Sequence, residues 1–112
     1  MSVSMRKQGN TAILELEGRL SLGPSLDEFR AKWNDAVATG SHNLVLNMTK
    51  VPMVDSSGIG SIIRCHSAIT AAGGKMKMVG VGDVVRQSFK VTRLDRVFDF
   101  YPDETSALAS FS

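Results

Sequence analysis

Hydrophobic and polar positions along the chain divide it into short strands and helices. In T-A-I-L-E-L-E, residues 11–17, Ala12, Leu14 and Leu16 share one side while Glu15 and Glu17 share the other. That period of two predicts a half-buried strand. Residues 3–8 form a candidate edge strand, and the Gly9-Asn10 pair between the two segments is a turn signal, so they predict a hairpin. G-R-L-S-L-G-P then reads as a loop that ends in a helix start, with Pro24 in the first turn, where its missing N–H is not needed. Leu26, Phe29, Trp33 and Val37 make one helical stripe, and Gly40 falls just past its end. The unbroken Leu44-Val45-Leu46 within N-L-V-L-N-M predicts a central strand buried on both faces.

A second helical pattern follows in Ile59, Ile62, Ile63, His66 and Ile69, and Gly73-Gly74 stops it. In K-M-K-M-V, Lys75 and Lys77 are expected to point outward and Met76 and Met78 inward. Asp83 is the expected N-cap of a third helix carrying Val84, Val85 and Phe89. R-V-F-D-F-Y, residues 96–101, is the last strand candidate, broken by Pro102, and residues 103–111 suit a short terminal helix. Strand and helix alternate with crossover-length connections, which predicts an α/β fold. The expected architecture is a mainly parallel sheet of four to five strands, an antiparallel N-terminal edge strand and about four helices on two faces, all in one domain over residues 1–112. The chain is too short for a doubly wound dinucleotide domain.

Composition narrows the function classes. Thirteen Lys and Arg against eleven Asp and Glu give a net charge of +2, with both signs dispersed and no basic block, so no nucleic-acid partner is expected. No apolar run approaches the ~18 residues that span a bilayer. Residues 1–10 lack the apolar region of a signal peptide. The lone Cys65 falls inside a helical pattern as a small core residue, and the expected compartment is the reducing cytoplasm, without membrane insertion.

The chemistry concentrates in V-D-S-S-G-I-G, residues 54–60, where a strand pattern gives way to a helical one. No enzyme motif fits: Val54 and Asp55 stand where a nucleophile elbow needs glycine, and Gly74-Lys75 is followed by Met76 rather than Ser or Thr. His42 and His66 have no partner at metal spacing, and no cofactor is expected. Asp55, Ser56 or Ser57 would each serve as an N-cap. Gly58 and Gly60 keep the first turn slim, which would let a large partner approach the backbone. The first-turn N–H groups have no helical acceptor and favour negative charge. A phosphate on Ser56 would meet those donors, yet it would add about −1.5 to −2 charges beside Asp55. Such a modification would leave the fold intact and spoil an interface.

V-P-M-V-D-S-S-G-I-G-S-I-I-R, residues 51–64, resembles the signature of STAS-domain anti-sigma factor antagonists. The likeness extends to L-E-G-R-L at 16–20, L-V-L-N-M at 44–48, A-A-G-G-K-M-K-M-V-G at 71–80 and V-V-R-Q-S-F-K-V-T-R-L-D-R-V-F at 84–98. The resemblance implies partner switching. The unmodified protein binds an anti-sigma factor that is also a serine kinase and so frees the sigma factor. The kinase then phosphorylates Ser56, and a serine phosphatase resets it, with ATP and magnesium belonging to the kinase. Asp55, Ser57 and Gly58 would join Ser56 in the partner-binding loop, Ser57 shaping the cap and Gly58 allowing close approach. The family's G-E-L-D turn is here G-R-L-S, residues 18–21, so Arg19 and Ser21 become candidate partner contacts, with Ser61 and Arg64 on the helix that follows. The alternative is a constitutive scaffold of the same fold in a stress-signalling or lipid-transport complex.

Overall fold

The computed structural model describes residues 1–111. It contains one five-stranded sheet: β1 (Ser2–Gln8), β2 (Thr11–Glu17), β3 (Asn43–Lys50), β4 (Met76–Val79) and β5 (Asp99–Tyr101). The helices are α1 (Pro24–Ala38), α2 (Ser56–Ala71), α3 (Asp83–Val91) and α4 (Glu104–Ala109), with a 3₁₀ turn at Leu94–Arg96. The hairpin forms as its pattern predicts: β1 and β2 pair antiparallel from Ser2↔Glu17 to Gln8↔Thr11, leaving Gly9 and Asn10 as the turn. The pairs β2–β3, β3–β4 and β4–β5 are all parallel.

Helices cover both faces of the sheet, but unequally: the three crossover helices share one face. Strands follow one another across the sheet in chain order. Right-handed crossovers that always step in the same direction put their helices on the same face. Phe29 and Trp33 of α1, Ile62, Cys65 and Ile69 of α2, and Val85 and Phe89 of α3 accordingly join Leu14, Leu16, Leu44, Leu46, Met76 and Met78 in one core. Fully burying side chains of this size stabilises by about 1.5–3 kcal/mol each. The other face is covered by α4, where Ala107 and Leu108 pack on Ile13, Val45 and Val79. Leu44, Val45 and Leu46 of β3 are all buried because this central strand is covered on both sides.

Three local expectations change for tertiary reasons. Lys77 does not face solvent: it is 6% exposed on the α4 side. Its ammonium donates to Asp99 Oδ2 at 3.1 Å and lies 5.5 and 5.4 Å from the ring centres of Tyr101 and Phe111, which supplies the pairing a buried cation needs. Asp83 is the first residue of α3 rather than its cap; Gly82 holds the cap position and provides no side chain. The last strand starts only at Asp99, because residues 94–96 close a 3₁₀ turn first. Among the described residues, no helix is long and apolar enough to cross a membrane.

Candidate functional site

Parallel strands end in the same direction, so the loops after β2, β3 and β4 gather at one edge of the sheet, the usual place for function in open α/β sheets. The first two are stitched together. The Gly18 N–H donates to Lys50 O at 3.0 Å, the Leu20 N–H to Met53 O at 3.1 Å and the Asp55 N–H to Leu20 O at 3.2 Å. Leu20 and Val54 form a parallel bridge that prolongs the β2–β3 pairing. The turn at residues 18–23 therefore flanks the serine loop directly.

Asp55 ties both loops to the start of α2. It is the N-cap, and its Oδ1 accepts the Gly58 N–H at 2.8 Å. Its Oδ2 accepts the Leu22 N–H at 3.0 Å from the neighbouring loop. The Leu22 amide first, then those of Gly58 and Ser57, hold its carboxyl below the ordinary 3.8, so the group is ionised at neutral pH. Of the three capping candidates, this one caps because only it precedes the helix in extended conformation, at φ −86° and ψ −179°.

Ser56 is the first residue of α2 and is exposed. Among the described residues its side chain makes no hydrogen bond, since Asp55 already serves the cap. Ser57 is half-buried. Gly58 is buried, which corrects its expected role in admitting a partner. A Cβ there would lie 2.5 Å from Leu20 O and 2.7 Å from Val54 Cγ1, so the missing side chain admits the neighbouring loop. Ser61 is likewise no part of a surface: at 4% exposed it sits on the inner stripe of α2 with Gly58, Ile62, Cys65 and Ile69.

Arg19 and Arg64 are exposed, and neither side chain forms an ion pair or hydrogen bond among the described residues. Ser21 is half-buried, and its backbone N–H and C=O pair with the Ser25 hydroxyl at 3.1 and 2.7 Å. The sequence pattern missed the apolar members of this edge. Leu22 is 78% exposed beside Asp55, Met53 is 38% exposed at the end of the β3 loop, and Val84 is 69% exposed at the start of α3. Ile63 is also exposed, seven residues after Ser56 and therefore on its stripe of α2. An apolar residue inside a turn rich in Ser, Gly and Pro, as Leu22 is, was the available signal.

The STAS domain family matches this chain over residues 2–107. The anti-sigma F factor antagonist of Paenibacillus polymyxa is 26% identical over 109 residues, covering 96% of this chain and 92% of that protein. An anti-sigma-factor antagonist (STAS) domain protein from Planctomyces limnophilus superposes with a TM-score of 0.86 at 16% identity, covering 96% of each chain. The Bacillus cell fate determinant SpoIIAA in its phosphorylated form superposes with a TM-score of 0.78 at 19% identity, covering 99% of this chain and all of that one (100%). At these identities the two structures speak for the fold.

Proposed function

The chain belongs to the STAS domain family, and from that premise we propose that it is an anti-sigma factor antagonist switched at Ser56. In this reading the unmodified protein binds a kinase-type anti-sigma factor in the cytoplasm and thereby releases a sigma factor. It acts by binding, with no chemistry of its own. The kinase brings ATP and magnesium and transfers a phosphoryl group to the Ser56 hydroxyl, and a serine phosphatase removes it.

The observation that carries the reading is an exposed, unbonded Ser56 hydroxyl one residue after a carboxylate that three amides keep ionised. Before modification, Leu22, Met53 and Ile63 offer apolar area around a small neutral group. After it, about −1.5 to −2 charges stand beside the fixed charge of Asp55. The start of a helix tolerates that anion through its unpaired donors, so the fold persists. A docked partner would have to strip water from the phosphate and accept its repulsion, so the complex dissociates. The likeness to an anti-sigma F factor antagonist over almost the whole chain supports the choice of partner.

Incubation with a kinase-type anti-sigma factor and ATP, followed by mass mapping, is expected to place phosphate on Ser56. Ser56→Ala should bind that partner close to wild type, and Ser56→Asp at least about tenfold more weakly, ~1.4 kcal/mol. Label on another residue, or equally tight binding by both variants, removes the switch. A stable complex without any sigma regulator, and no phosphoserine in cells, would instead mark a constitutive scaffold.

A further inference from the structure

A cleft of about 450 Å³ opens beside the serine loop, between residues 49–52 at the end of β3 and residues 82–85 at the start of α3. Its volume falls within the ~300–1,000 Å³ of ordinary binding pockets, room enough for a large side chain. One wall, Val51 and Pro52, belongs to the segment that continues through Met53 and Val54 into Asp55 and Ser56. The opposite wall carries Val84, 69% exposed, and Asp83, whose exposed side chain has no ion pair or hydrogen bond among the described residues. Gly82 leaves the mouth wide, since nothing lies within 4 Å of where its Cβ would be.

We propose that this cleft is the anchor site for the partner that docks at Ser56: it takes one apolar side chain of that protein, flanked by a cation that pairs with Asp83. The proposal rests on the functional reading above and adds a second, independent contact to it. Two features select a protein as the occupant. The cleft wall and the serine loop are one continuous segment, so a surface covering Ser56 also reaches Pro52. The exposed apolar residues Leu22 and Met53, from the loops after β2 and β3, and Val84, from the first turn of α3, lie outside the cleft as well as at its rim, and so suit a broad surface with one projecting side chain. Binding energy in such interfaces concentrates in a few anchors seated in pockets. Lys50 also lines the cleft, but its ammonium pairs with Glu15 at 3.4 Å, which leaves the free carboxylate of Asp83 to set the sign of the neighbouring charge.

The test uses two valines on one stripe of α3, seven residues apart: Val84, at the cleft, and Val91, 74% exposed and beyond it. Binding of the kinase-type anti-sigma factor is measured for the full chain, with melting curves for every variant. Val84→Glu is expected to weaken binding about tenfold, and Val84→Ala to weaken it by a smaller factor in the same direction. Val91→Glu should bind within about twofold of wild type, because it adds the same charge to the same helix away from the cleft. Wild-type affinity in both Val84 variants, or equal losses in Val84→Glu and Val91→Glu, overturns the anchor. Ser56→Asp, run alongside, separates the two ideas. If it binds normally while Val84→Glu fails, the anchor stands and the switch falls; the reverse result removes the anchor alone. No binding by the wild-type protein removes both.

Discussion

Helices α2 and α3 follow adjacent parallel strands and start at the same edge of the sheet. At the start of α2, Asp55 closes the first turn and reaches across to Leu22, while Gly58 presses against the Leu20 carbonyl. At the start of α3, Gly82 supplies no capping side chain, the Asp83 side chain is unpaired among the described residues, and open space lies in front. The first helix start is a fixed frame that holds one hydroxyl outward, and the second is an open mouth. A serine that is to be modified without unfolding its surroundings needs the first kind. A contact surface that must admit another protein's side chain needs the second.

The contrast is sharpest at the glycines. Helix propensity alone says Gly58→Ala should stabilise α2 by about 1 kcal/mol. The contact with a backbone carbonyl opposes this, because backbone cannot rotate away as a side chain can. Overpacking of this kind costs about 1–3 kcal/mol, so we expect Gly58→Ala to lower the melting midpoint, with loss of partner binding as the Leu20 loop shifts. A midpoint at or above wild type would show that the two loops are not in tight register.

A smaller effect is expected from Asp55→Asn, and it depends on pH. The folded carboxyl titrates below 3.8. Its contribution is therefore complete above the unfolded value and is lost as pH falls through the lower folded one. Wild type should exceed Asp55→Asn in melting midpoint at pH 7, and the two should converge as pH falls through the lowered folded value. The matching substitution in the other first turn, Asp83→Asn, should change the melting midpoint little at pH 7, since that side chain has no ion pair or hydrogen bond among the described residues. The smallest expected effect has the opposite sign. Gly82 has φ −73° and ψ 167°, a conformation suited to an N-cap serine. Gly82→Ser should raise stability by a few tenths of a kcal/mol, read as a small rise in melting midpoint.

Much of the serine loop was legible in the sequence. The break from a period of two to a period near four locates the strand-to-helix junction within a residue or two, and the D-S-S-G string supplies the cap. Which of Asp55, Ser56 and Ser57 caps was open, since all three have suitable side chains. The backbone decides it: only Asp55 precedes the helix in extended conformation, and its carboxylate then also accepts the Leu22 amide of the neighbouring loop. Ser61 was misplaced for a related reason. A helical stripe is read from its apolar members, and small residues such as Gly58 and Ser61 on the packed face carry little hydropathy to mark them. Ile63 misled in the other direction, being apolar yet exposed.

Alternation, helical spacing and turn residues along the chain were by themselves enough to determine the hairpin, the buried central strand and the order of strands and helices. These are local properties, set by backbone geometry over a few residues. The tertiary structure decided which face each helix covers, why Lys77 is buried, what Gly58 touches and where the cleft opens. Each of these depends on the order of strands in the sheet and on groups far apart in the chain, Leu20 against Gly58 or Pro52 against Val84, whose meeting no period in the sequence encodes.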